Sequence, residues 1–286
     1  MNNFLCLPNG ISMPMIGFGT YRINGKKCEN AVYDAISSGY RLIDTASMYE
    51  NEEFVGNALS RCFEENIVNR NDMFITTKLW TNSYSYNDAI RSFYNSLEKL
   101  RIDYIDLYLL HNSFGYIYEA WEAITELYNR KIIRAIGISN FSIERIIEFM
   151  HFAELPPMVN QIEIHPYYNQ ASLVEHLKNV NCVPQAWAPL AEGKYNIFED
   201  KLLSTIALKH KKKVSQIILK WNIQRGIPVI TQTTDHIHLL QNIDMDNFEL
   251  SNEEITCITS LTKSNCNIIN YNDPDTIKKI LNKNIF

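Results

Sequence analysis

The chain has 286 residues, 46% hydrophobic and 21% charged, with a formal net charge of −5. That length exceeds a small stapled module and suits one large barrel domain over residues 1–286. The acidic balance argues against a nucleic-acid binder, and the composition excludes collagen, coiled coil and disordered tail.

The opening decapeptide MNNFLCLPNG lacks a positive n-region and a long apolar stretch, so a cytoplasmic protein is expected. Residues 5–7 and 11–13 flank Pro8-Asn9-Gly10, a hairpin signal. Such a hairpin could plug one end of a barrel. Eight short apolar, β-branched runs then follow, at 15–19, 41–44, 74–78, 105–110, 135–139, 159–163, 182–187 and 228–230. Helical patterns alternate with them at 30–38, 52–64, 87–101, 118–129, 143–149, 171–179, 202–208 with 215–225, and 236–243. One more helix is expected at 252–261, and the tail from 262 has weak periodicity that could lie over the other mouth. Strands alternating with helices imply parallel pairing, and eight such units close into a (β/α)8 TIM barrel, an α/β fold. The alternative, an open doubly wound sheet, more commonly has five or six strands.

No apolar run approaches the ~20 residues that span a bilayer. The six cysteines form no C-x-x-C pair and read as free thiols of a reducing compartment. Gly17-Phe18-Gly19 opens like a dinucleotide fingerprint, but Arg22 stands where its third glycine belongs. P-loop, nucleophile-elbow and H-E-x-x-H strings are absent. Asp44, His111, Glu163 and His165 are the residue types a barrel metal site would use, yet no H-x-H pair accompanies them, so no metal is expected.

Barrel active sites gather at the C-terminal ends of the strands. Asp44, Lys78 and His111 end three successive strands, and the loop after Asp44 adds Tyr49. A carboxylate, an ammonium, an imidazole and a phenol thus converge on one mouth.

The segments GFGTY (17–21), DTASMYENE (44–52), ITTKLW (75–80), YLLH (108–111), AIGISNF (135–141), VNQIEIHP (159–166) and AWAPLAEG (186–193) resemble the aldo-keto reductase family, in the family's order and along nearly the whole chain. The resemblance implies reduction of aldehydes or ketones by NADP(H), or by NAD(H), on a barrel without a Rossmann fold. It implies a catalytic tetrad of Asp44, Tyr49, Lys78 and His111. The phenol would protonate the carbonyl oxygen. Lys78 would lower its pKa, Asp44 would hold Lys78, and His111 would donate a second hydrogen bond to the oxygen or hold the substrate in orientation. The cofactor contacts implied are Ser139, Asn140 and Gln161 on the nicotinamide carboxamide, with Trp187 stacking in place of the usual tyrosine. Gly19, Thr20 and Tyr21 would line the mouth, and Leu190 and Gly193, with Ala191 and Glu192, would border the pyrophosphate. Tyr21, Trp80 and Asn112, with Phe114 and the tail around Tyr271, would shape the substrate pocket.

Two departures stand out. The family usually follows its last strand with P-K-S-x-x-x-x-R, whose Lys and Arg bind the adenosine 2′-phosphate. Here Gln232 and His238 occupy those places, Asp235 adds a negative charge, and Thr233 and Asn242 still fit. A weakened preference for NADPH is therefore expected, the alternative being that backbone amides and other residues still hold the phosphate. The family also often carries a proline two residues after the tetrad histidine. This chain reads His111-Asn112-Ser113, so a freer loop is expected. The partner is a small carbonyl compound, met by a monomer, with no nucleic acid or membrane. The competing readings are a cofactor-binding regulatory protein on the same barrel and an unrelated barrel hydrolase.

Overall fold

A computed structural model describes residues 4–282. An N-terminal antiparallel pair, β1 (Phe4–Cys6) and β2 (Ser12–Pro14), precedes eight parallel strands. These are β3 (Ile16–Gly19), β4 (Leu42–Asp44), β5 (Phe74–Leu79), β6 (Ile105–Leu110), β7 (Ile133–Ser139), β8 (Val159–Glu163), β9 (Val183–Trp187) and β10 (Val229–Thr231). They close in the order β10-β3-β4-β5-β6-β7-β8-β9. Every residue of β5, β6 and β8 is buried. Barrel strands are covered by side chains inside and helices outside, so even the polar residues of these segments, Lys78, Asp106, Gln161 and Glu163 among them, are enclosed. Met13, Leu7, Phe18 and Ile75 belong to the same continuous core as the inner faces of the helices.

The hairpin forms, but not around a two-residue Asn-Gly turn. Gly10 N–H donates to Leu7 O at 2.9 Å, so Pro8 and Asn9 are the turn's central residues and Gly10 follows with φ of +87°. Proline's fixed φ suits the first central position, and glycine tolerates the left-handed one after it. Each strand is therefore displaced one residue outward from its expected place. The hairpin does close the N-terminal end. Met13 is fully buried, with its sulfur 3.7 Å from Gln185 Nε2 on β9, and Asn9 Nδ2 donates to Arg134 O at the start of β7.

The helices include α1 (Gly25–Ser37), α2 (Glu52–Glu64), α3 (Tyr86–Leu100), α4 (Ile117–Asn129), α5 (Ile143–Phe152) and α6 (Ala171–Asn179). The long seventh helical region is two helices, α7 (Lys201–His210) and α8 (Val214–Gln224), separated at Lys211 with φ of +54°. Next come α9 (His236–Ile243) and α10 (Asn252–Thr259). The tail then adds α11 (Pro274–Leu281), which periodicity did not announce. Its start is signalled locally: Asp273 accepts from the N–H groups of Asp275 and Thr276, and Pro274 takes the first helical position. Among the described residues no helix is long and apolar enough to cross a membrane.

Candidate active site

Strand ends and the loops after them build one cavity of about 390 Å³ at the C-terminal mouth. Asp44 ends β4, Lys78 sits one residue before the end of β5, and His111 follows β6 directly. Asp44 and Lys78 are both nearly fully buried, and Lys78 Nζ lies 2.5 Å from Asp44 Oδ1. The same ammonium donates to Thr45 O at 3.0 Å and reaches Tyr49 Oη at 3.3 Å. Tyr49 comes from the short helical turn 47–49, whose Ser47 hydroxyl donates to Lys78 O. The four expected side chains therefore meet at one end of the cavity.

Their electrostatics differ from the expectation in one respect. Burial, and then the Asp44 carboxylate, push the Tyr49 phenol well above its ordinary pKa. The expected lowering by Lys78 is overridden, because enclosure penalises a phenolate and the cation is itself drawn down by burial. His111 is pushed well below its usual range by burial and by Lys78. Its ring packs edge-on against Trp80 and Tyr49, and its buried Nδ1 has no hydrogen-bond partner among the described residues. An unpartnered Nδ1 suits a neutral ring with its proton on Nε2, since a bare lone pair is cheaper to bury than an unmet N–H donor.

Gln161 donates to Asp44 Oδ2 at 2.7 Å and to Gln185 Oε1 at 2.9 Å, so both of its N–H groups serve the tetrad's carboxylate and the barrel interior. Ser139 Oγ donates to Gln161 O. Asn140, held at φ of +63°, accepts from the Trp187 indole N–H at 2.8 Å and donates to His111 O at 3.0 Å. All four residues line the cavity, together with Gly19, Tyr21, Trp80, Asn112, Leu190 and Gln232. At Gly19 a Cβ would lie 2.7 Å from Ile230 Cγ2, so strand packing alone demands glycine there.

Other expected residues lie elsewhere. Thr20 does not line the mouth. It is fully buried, its hydroxyl donating to Asp44 O. Gly193 and Phe114 are not among the cavity-lining residues. Nor are Thr233, His238 and Asn242, which belong to the start and inner face of α9. Thr233 Oγ1 accepts from Asp235 N–H, and Asp235 in turn caps α9 by accepting from His238 N–H at 3.0 Å. The loop after His111 is not freed by the missing proline. Tyr84 Oη donates to Asn112 O and accepts from Asn112 N–H, at 2.9 and 3.0 Å, while Arg145 donates to Ser113 O.

Sequence reasoning missed Asn51. It is fully buried, accepts from Thr45 Oγ1 at 2.9 Å, and donates to Thr20 O and Ile23 O at 2.8 and 2.9 Å. It ties the loop bearing Tyr21 to the loop bearing Tyr49. Its signal was present as a buried-type amide two residues after the phenol, but nothing local names its partners.

The cavity suits a dinucleotide on its own chemistry. Trp187 offers a large aromatic face at one wall, with its N–H satisfied by Asn140. Arg22, Lys194 and Lys279 line the cavity, with Glu192 as the carboxylate 3.8 Å from Arg22 and 3.0 Å from Lys194. Three cations on the lining suit a ligand that carries phosphates.

Comparison with known proteins agrees. A model of the Aldo/keto reductase family matches residues 15–263. Glyoxal reductase of Bacillus subtilis (strain 168) is 39% identical over 259 residues, covering 90% of this chain and 92% of the relative. Aldose reductase C of Dictyostelium discoideum is 35% identical over 287 residues, covering 91% and 89%. The crystal structure of a Bombyx mori aldo-keto reductase in complex with NADP aligns with a TM-score of 0.89 at 30% identity, covering 94% of this chain and 95% of that one. With its closed barrel, its clustered strand-end residues and these matches, the chain belongs to the aldo/keto reductase family of oxidoreductases.

Proposed function

We propose that this chain reduces small aldehydes or ketones to alcohols with NADPH or NADH, and that Tyr49 is the proton donor. When bound, the reduced nicotinamide supplies the hydride that goes to the carbonyl carbon. The chain's own residues manage the oxygen. The Tyr49 hydroxyl donates a hydrogen bond to the carbonyl oxygen as negative charge grows there, then gives up its proton. Lys78 stands beside the phenol and stabilises the phenolate left behind. Asp44 keeps Lys78 charged, and Gln161 keeps Asp44 oriented. The neutral His111 ring offers its Nε2 proton as a second donor, which fixes the approach of the substrate.

The observation that carries this reading is the 3.3 Å approach of the Lys78 ammonium to the Tyr49 hydroxyl, on an ammonium already held by Asp44. The kinship with a glyoxal reductase supports a small carbonyl substrate. Replacing Tyr49 by Phe should lower kcat by about 10²–10⁴ while dinucleotide affinity, read by Trp187 quenching, is unchanged. Near-normal turnover in that variant would remove the phenol from the chemistry.

A further inference from the structure

The end of β8 carries a carboxylate that neither hydride transfer nor proton transfer uses. Glu163 is only 3% exposed. A charge this deep needs donors or it is lost. Two of its donors lie more than a hundred residues away. Oε1 accepts from Ile268 N–H at 2.6 Å, and Oε2 accepts from Ile269 N–H at 3.3 Å. The third is His165, whose Nε2 lies 3.1 Å from Oε1. His165 is fully buried, and its Nδ1 has no partner among the described residues, so Nε2 is the nitrogen placed to donate to Glu163.

The segment held in this way enters the cavity at once. Ile268, Ile269, Asn270 and Tyr271 all line it. Other contacts dock the tail at its rim. Lys263 N–H donates to Tyr167 O at 2.9 Å, and the Tyr195 hydroxyl donates to Asn267 O at 3.0 Å. Tyr195 holds the carbonyl side of the peptide whose N–H faces Glu163, whereas the Glu163 carboxylate alone binds both the Ile268 and Ile269 N–H groups among the described residues.

We infer that Glu163 is a positioning residue for substrate selection: its carboxylate fixes residues 268–271 as one wall of the carbonyl pocket and so limits the size of the compound admitted. This rests on the reductase reading above. Glu163 touches no reacting atom and acts through the tail. With the wall held inward, the pocket favours short carbonyl compounds over bulky aromatic ones.

The test compares the wild-type chain with Glu163→Gln, whose amide NH2 would face a backbone N–H from which it cannot accept. Amide hydrogen exchange is followed across residues 262–273. kcat/KM is measured for glyoxal and for a naphthaldehyde, and NADPH affinity by fluorescence. The expected result is faster exchange at 268–271 and a fall of about tenfold or more in the preference for glyoxal. The change should come through KM, with NADPH affinity unchanged. Should the Gln variant not fold, Glu163→Asp, one methylene short of both N–H groups, should give the same pattern. Unchanged exchange, an unchanged substrate ratio, or a loss of NADPH affinity in step with kcat would each overturn the assignment. A wild-type chain that reduces no carbonyl compound would overturn the reductase reading and this selection role together. The exchange data would still decide whether Glu163 holds the tail.

Discussion

A phenol enclosed at the end of a barrel must release its proton into a medium that solvates the anion poorly. At Tyr49 this penalty, with the Asp44 charge, exceeds the help from Lys78. The consequence is useful to a reductase, because the acid form persists where an ordinary tyrosine would ionise. Tyrosinate difference absorbance of the wild-type chain and of Tyr49→Phe should therefore match up to about pH 10, the free phenol's range, while any alkaline loss of kcat/KM follows Lys78, which burial draws down. His111 shifts the opposite way. Its folded pKa lies below the unfolded value, so the unfolded chain takes up a proton first as pH falls. His111 thus costs stability progressively below about pH 6.5, and none above it. Relative to His111→Gln, the wild-type midpoint of urea unfolding should drop between pH 7 and pH 5. A midpoint difference that stays constant over that range would show a ring that titrates normally. The convergence of Asp44, Tyr49, Lys78 and His111 could be read from sequence because three of them lie at the ends of successive strands and the fourth lies in the loop after Asp44. The sign of the Tyr49 shift could not, since it depends on how completely the phenol is enclosed.

At the scale of elements, we propose that the cofactor's adenosine end meets the start of α9. Asp235 places its carboxylate on the first turn, where the helix would otherwise present N–H groups to an anion. Replacing it with Asn should keep the cap and remove the charge. Asp235→Asn should therefore bind NADPH more tightly and leave NADH affinity unchanged, as measured by titration of Trp187 fluorescence. In the wild-type chain the kcat/KM preference for NADPH should stay below about a hundredfold. The eight barrel strands were legible because short apolar, β-branched stretches alternate with helical patterns, and Ile105–Leu110 and Val159–Glu163 emerge at their expected bounds. The tail was less legible. The cap at Asp273-Pro274 marks where α11 begins, but the backbone donors that meet Glu163 carry no side-chain signature. The hairpin misled by one residue because Pro8 pre-sets the turn ahead of Asn9-Gly10.

For the molecule as a whole, the two ends of the barrel carry different duties. Asp106 on β6 is fully buried and binds Arg70, Arg134 and the Ile75 N–H at 2.7, 2.7 and 2.9 Å. These contacts join the N-terminal ends of neighbouring strands, far from the mouth. Asp106→Ala should lower unfolding free energy by about 3 kcal/mol, toward the smaller losses seen for broken buried pairs because both arginines reach solvent. Denaturant titration would measure this, and kcat should be unaffected. A matching loss of turnover would mean that strain at this end travels through the barrel.

The hairpin that seals the floor also separates the two ends of the molecule for a practical purpose. Its first strand, with Phe4 half exposed, faces away from the cavity. A surface tether or fluorescent label attached on that side would leave the entrance turned to bulk solution, so the immobilised enzyme should exchange nucleotide as freely as the dissolved one.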